Sequence, residues 1–142
     1  MNKRYLLDTS AILALRSDEP GADDVESILR ESESGQAEVY ASFMTYMEVY
    51  YRIWHIEGEE SAKRMYGELL SLPISRVDMS DSILLCAGSI KANYSLSVAD
   101  AWIIASAIEM EASLVHKDPE FEQVQDIVSL IFLPYKQRDS MS

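Results

Sequence analysis

A chain of 142 residues is long enough for one domain with a substantial hydrophobic core. Its composition, 48% hydrophobic and 25% charged, is that of a globular protein, and no segment reaches the roughly 18 apolar residues of a membrane-spanning helix. The formal net charge of −12, from 12 Lys and Arg against 24 Asp and Glu, disfavours non-specific adhesion to nucleic acid, so such a substrate would be held by metal ions and a local basic patch. An acidic surface also suits a basic protein partner.

Met1-Asn2-Lys3-Arg4 followed by apolar residues is a faint signal-peptide pattern, but Asp8 interrupts it and no convincing cleavage site follows. Cys86 has no second cysteine to pair with, and no Cys/His spacing suggests zinc. The cytoplasm is the expected compartment.

Tyr5, Leu6 and Leu7 predict a short buried strand, and a helix begins over 11–15 with Asp8, Thr9 or Ser10 available as its cap. After the turn at Asp18-Glu19-Pro20-Gly21, residues 22–33 predict a helix with Val25, Ile28 and Leu29 on one face and acids in its first turn. Residues 38–41 predict a second strand. Over 44–56, Met44, Met47, Tyr51 and Trp54 recur at helical spacing and are read as core or a dimer face. Gly58 ends that helix, and 59–72 forms another with Ala62, Met65, Leu69 and Leu72 inward.

Residues 74–77 predict a third strand. A helix over 81–94 runs through Ile83, Leu84, Ala87 and Ile90, and one over 97–110 runs through Ala101, Trp102, Ala105 and Ile108. Cys86 falls within the apolar pattern of the first of these and is read as an inert core residue. Residues 114–115 and 127–133 predict the fourth and fifth strands. Short strands alternating with helices point to an α/β sandwich around a mostly parallel sheet, a single domain over 1–136 followed by a polar tail at 137–142. In such sheets functional groups gather beyond the carboxyl ends of the strands.

Four carboxylates stand where a carboxylate is awkward. Asp8 and Asp118 each follow a predicted strand, Asp100 opens a helix, and Glu48 lies one turn beyond Met44 on an apolar face. A buried carboxylate needs a cation, a hydrogen-bonding partner or a raised pKa. Glu48 is read as a metal ligand in preference to a partner of a buried Arg or Tyr hydroxyl. The three aspartates also have capping roles. Asp8 can cap the first helix, Ser97-Val98-Ala99-Asp100 fits a capping box, and Asp118-Pro119 fits a helix start. Hard oxygen ligands without a cysteine partner suit Mg²⁺ or Mn²⁺, which can activate water and stabilise a leaving oxygen at a phosphodiester.

Four segments then resemble the PIN-domain ribonucleases, and within them the toxin component of VapBC-type modules. They are Leu6-Leu7-Asp8-Thr9-Ser10-Ala11-Ile12-Leu13, Met44-Thr45-Tyr46-Met47-Glu48-Val49, Leu96-Ser97-Val98-Ala99-Asp100-Ala101 and Leu114-Val115-His116-Lys117-Asp118-Pro119-Glu120-Phe121. The resemblance implies a PIN-like three-layer α/β/α sandwich with about five strands, and Asp8, Glu48, Asp100 and Asp118 as catalytic and metal-binding residues around Mg²⁺ or Mn²⁺. It further implies hydrolysis of RNA, a homodimer, and inhibition by a cognate antitoxin. Ser10 matches a frequent hydroxyl position beside the first acid. One departure is visible: family members often have Thr two residues before the fourth acid, where this chain has His116. Imidazole there could orient an acid or water, add a ligand, or merely end the strand.

Two other readings compete. A degenerate scaffold of the same fold would bind RNA or protein without cutting. A phosphatase using Asp8 as nucleophile would want a second Asp two residues later, where Ser10 stands.

Overall fold

A computed structural model describes residues 2–134. The chain runs β1 (Lys3–Leu7), α1 (Thr9–Arg16), α2 (Ala22–Glu33), β2 (Ala37–Ser42), α3 (Phe43–Glu57), α4 (Glu59–Ser71), β3 (Ser75–Val77), α5 (Asp81–Asn93), α6 (Val98–Glu109), β4 (Ser113–His116), a 3₁₀-helix (Pro119–Val124) and β5 (Leu130–Phe132). The strand order is β3-β2-β1-β4-β5, and every pairing is parallel. The tail expected at 137–142 lies outside the described residues.

The alternation of side chains along each strand explains the layers. Tyr5 and Leu7 of β1, Val39 and Ala41 of β2 and Val115 of β4 pack with Ile12, Val25, Val49 and Leu69 from α1 to α4. Leu6 and Leu114 point the other way, onto Ile83, Ile90, Ile104 and Phe121. Because helices cover both faces, Leu6, Leu7, Leu114 and Val115 are all fully buried, and the central strands read as unbroken apolar runs. The expected three-layer sandwich is therefore present, with a sheet that is wholly rather than mostly parallel.

The chain lays down β1, β2 and β3 in one direction and then returns across β1 to place β4 on its other side. The order reverses between β1 and β4, and that is where a parallel sheet opens a crevice beyond its carboxyl edge. In register, Leu7 lies beside Val115, so Asp8 and the residues after β4 emerge together.

Three expectations need correction. Met47, Tyr51 and Trp54 are 54%, 40% and 43% exposed, so of the two readings of this stripe, core or dimer face, the core one fails, and these residues form an outer face of α3. The inner arc is Thr45, Tyr46, Glu48, Val49 and Ile53, whose Val and Ile fit against the sheet. Apolar spacing found the helix, and of its two apolar stripes the sheet takes the other. Leu84 is likewise exposed, and Cys86 and Leu72 are only partly buried. The last strand is confined to Leu130–Phe132, because the 3₁₀-helix and a following turn take up the residues before it.

Gly21 opens α2 at φ 99°, and a Cβ there would lie 3.0 Å from Leu133 Cβ, whereas one at Gly35 (φ 79°) would meet nothing within 4 Å. Both substitutions to Ala are strained by backbone conformation, by roughly 1–2 kcal/mol. Gly21→Ala is expected to lose more stability than Gly35→Ala in urea denaturation, since it must also displace Leu133; equal losses would contradict this packing.

Candidate active site

Each acid is placed by a different element. Asp8 follows β1, and its backbone N–H donates to Val115 O at 3.0 Å, so it is still held by the strand ladder. It is also the cap of α1: Oδ2 accepts from Ser10 N–H at 3.2 Å and from Ser10 Oγ at 2.6 Å. Ser10 Oγ in turn accepts the Lys117 N–H at 3.0 Å, so one hydroxyl ties the first acid to the segment that carries the fourth. Asp8 is only 5% exposed, and its pKa is pushed up to about 6, chiefly by burial. The Ser10 and Thr9 hydrogen bonds oppose that rise, and the nearby charge of Glu48 adds to it.

Glu48 lies in the second turn of α3, a helix that starts directly from β2 with Ser42 as its cap. Its Oε1 accepts from Thr9 Oγ1 at 2.7 Å, and Thr9 Oγ1 is 3.4 Å from Thr45 Oγ1. The partner is thus a threonine next to Asp8 rather than the buried Arg or Tyr hydroxyl considered above. A single hydroxyl cannot neutralise a carboxylate.

Asp100 sits in the first turn of α6, where Ser97 Oγ accepts its N–H at 3.1 Å, the serine half of the expected capping box. Burial raises its pKa to about 6; the charges of Asp8, Glu48 and Asp118 push the same way, and the Ser97 hydroxyl opposes them. Asp118 caps the 3₁₀-helix with Pro119 at its start, accepting the Glu120 N–H on Oδ1 at 2.9 Å. The helix expected there is therefore a tight 3₁₀ turn.

Two of the four predicted acids, Asp100 and Asp118, fall within ligand range of one another among the described residues, together with Glu120, which the sequence does not single out; Asp8 and Glu48 lie outside that group. Carboxylate oxygens of Asp100, Asp118 and Glu120 lie within 4.8 Å of one another. Asp8 and Glu48 stand with them as charges that Asp100 feels. Glu120 sits within the fourth motif, two residues past its acid. The tight turn at Pro119 brings two such residues to one side, and that was the available signal. Thr9 was weighed only as a cap, although its hydroxyl holds Glu48.

Among the described residues, no Lys or Arg forms an ion pair with these acids. Lys117, the adjacent cation, turns away to Glu19 Oε1 at 3.5 Å and Pro20 O at 2.9 Å. The donor set is all carboxylate oxygen without a cationic partner, Asp100 and Asp118 partly buried and Glu120 exposed, and it fits a hard divalent cation such as Mg²⁺ or Mn²⁺. His116 adds no ligand: it is fully buried, its Nδ1 accepts the Asp118 N–H at 3.1 Å, and burial holds its pKa below the usual imidazole value.

Several solved structures share this fold. A chain of VapBC2 from Rickettsia felis, crystallised with a promoter DNA fragment, aligns with TM-score 0.74 at 17% identity over 92% of this chain and 99% of that one. VapBC-1 from nontypeable Haemophilus influenzae gives TM-score 0.67 at 24% identity over 91% and 97%. Mycobacterium tuberculosis VapC20, a sarcin-ricin loop cleaving toxin, gives 0.66 at 15% identity over 84% and 94%. No curated protein matches the sequence. The PIN domain model matches residues 5–127, which take in all or most of four of the five strands and every acid described above, and the chain belongs to the PIN domain family.

Proposed function

We propose that this protein is a Mg²⁺- or Mn²⁺-dependent endoribonuclease, the toxin of a toxin–antitoxin pair that works as a homodimer. The observation that carries the reading is the uncompensated group of Asp100, Asp118 and Glu120, backed by Asp8 and Glu48 at the carboxyl edge of a parallel sheet. A cation held there would supply an activated water and stabilise charge on the leaving oxygen of a cleaved phosphodiester. The chain's own contribution is placement. Ser10 orients Asp8, Thr9 orients Glu48, and the caps of α6 and the 3₁₀-helix orient Asp100 and Asp118. Asp8 and Asp100 have pKa values of about 6 in the cation-free chain, and a bound cation would lower both by favouring the charged form.

The partners are read from surface chemistry together with the VapBC complexes that share the fold. A cavity of about 530 Å³ between α3, α4 and β3 is lined by Phe43, Tyr46, Met47, Tyr50, Tyr66 and the cations Lys63 and Arg76. With the exposed Met47, Tyr51 and Trp54 beside it, this face supports docking of an antitoxin segment, and the exposed Leu84 and Leu85 of α5 support a contact between copies. The Thr9–Glu48 hydrogen bond would equally serve a scaffold that binds without cutting, and Mn²⁺ titration separates the two: no binding favours the scaffold.

Asp8→Asn and Glu48→Gln are expected to abolish Mn²⁺-dependent RNA cleavage in folded protein. Unchanged cleavage by either purified variant would sink the site. Glu120→Gln should weaken Mn²⁺ binding by at least about tenfold, because one unit charge a few ångströms from a cation is worth several kcal/mol at an effective dielectric of about 20. Calorimetric titration reads this directly.

The raised pKa values also set a pH dependence. A carboxylate whose folded pKa exceeds its unfolded value destabilises the fold at higher pH, and the penalty vanishes below the unfolded value. For Asp8, rising from 3.8 to about 6, it is on the order of 3 kcal/mol at pH 7. Without cation, stability should therefore rise as pH falls from 7 towards 4, and Asp8→Asn should be more stable than wild type at pH 7. Mn²⁺ affinity should fall over the same window as protons compete. Urea denaturation in EDTA across this range, showing no gain for Asp8→Asn, would refute the assignment.

A further inference from the structure

His116 ends β4 with its side chain on the α5/α6 side of the sheet, fully buried, its ring set edge-on to Phe121 and Phe132 with centroids 5.1 Å from each. Its two nitrogens meet different surroundings. Nδ1 accepts the Asp118 N–H at 3.1 Å, while Nε2 is buried with no hydrogen-bond partner among the described residues. An Nδ1 that accepts an N–H carries no proton, so the neutral ring holds its hydrogen on Nε2. An unpartnered buried polar atom is costly, and a simple strand-ending side chain of similar size would avoid it. What the imidazole supplies here is the acceptor on Nδ1.

That acceptor completes a chain of anchors through the turn after β4. The Lys117 N–H goes to Ser10 Oγ, the Asp118 N–H to His116 Nδ1, and the Glu120 N–H to Asp118 Oδ1. Without the middle anchor, the Asp118 N–H is left without its acceptor, and the segment that carries the carboxylate meeting Asp100 and Glu120 is held only by the bonds on either side of it, from the Lys117 N–H to Ser10 Oγ and from the Phe121 N–H to Asp118 O. We propose that His116 is a positioning residue of the acidic centre, fixing the Asp118 backbone through Nδ1 so that Asp118, Asp100 and Glu120 present their oxygens to one cation. The proposal rests on reading these acids as a cation site.

The experiment compares wild type, His116→Leu, which keeps an apolar side chain but has no acceptor, and His116→Asn, whose Oδ1 can stand where Nδ1 does. Mn²⁺ alone is titrated into each full-length protein, and RNA cleavage is followed as a function of Mn²⁺ concentration. The leucine variant is expected to bind Mn²⁺ about tenfold more weakly, the scale on which residues that orient a ligand act. Its cleavage should recover at raised Mn²⁺ with KM for RNA unchanged, and the asparagine variant should bind close to wild type. Leucine binding as tightly as wild type, or asparagine binding as weakly as leucine, would overturn the role of His116 while leaving the cation site standing. A wild type that binds no Mn²⁺ would overturn the cation site itself. Should the variants fail to fold, ¹⁵N spectra of the wild-type imidazole decide: protonation on Nε2 with an unprotonated Nδ1 is expected, and a proton on Nδ1 refutes the hydrogen bond on which the proposal stands.

Discussion

The site depends on the side-by-side emergence of β1 and β4 from the sheet. Parallel pairing puts Leu7 beside Val115, and the ladder runs one residue past the strand through the Asp8 N–H to Val115 O. Ser10 then closes the gap between the two strand ends, donating to Asp8 and accepting from Lys117. Shifting this register by one residue would turn Leu6 and Leu7 to the wrong faces and separate Asp8 from the turn that carries Asp118. The hydrophobic alternation that builds the core thereby also sets the geometry of the acids.

The second constraint is charge. Asp8, Glu48 and Asp118 all act on Asp100, Glu120 joins Asp100 and Asp118 from the exposed side, and Lys117, next to Asp118 in the chain, is turned to Glu19 and Pro20. Helix caps make this tolerable in part. Asp8 and Asp118 receive N–H donors from α1 and the 3₁₀-helix, and Asp100 lies in the positive first turn of α6. Partial compensation of that kind leaves Asp8 and Asp100 displaced upward, chiefly by burial and further by the charges of their acidic neighbours.

Much of this was legible in the residues, and the failures have physical reasons. The bounds of α2 and the inward Ala62, Met65 and Leu69 of α4 followed from spacing and turn residues, because their apolar side chains recur at helical spacing. α3 has two, and periodicity alone cannot say which the sheet takes; Val49 and Ile53 lie inward while the larger, more conspicuous Met47 and Trp54 stay out. Glu48 stands one turn beyond Met44 of the outer stripe, and it is buried because it belongs to the inner arc with Thr45 and Val49. Capping motifs at Ser97 and Asp8 were readable since they are local. The Thr9–Glu48 bond spans 39 residues and the Ser10–Lys117 bond 107, and no local pattern encodes either. Glu120 was missed for a different reason, namely that the 3₁₀ geometry of its turn, rather than an α-helix, decides which way it faces.

A cap and a ligand make compatible demands on a carboxylate, and this explains why each aspartate could be read both ways. Capping engages one oxygen with backbone N–H groups and fixes the side chain at the mouth of an element, as Asp118 Oδ1 does for the Glu120 N–H. The same fixation lowers the entropy lost when a cation is bound, because the rotamer is already chosen. What separates a capping acid from a ligand is therefore its surroundings: an isolated cap is satisfied by its own helix, whereas several caps from different elements crowded together still repel. In this chain the crowding is built by the strand order, and the burial and mutual repulsion that raise Asp8 and Asp100 in the cation-free fold are what a divalent ion would offset.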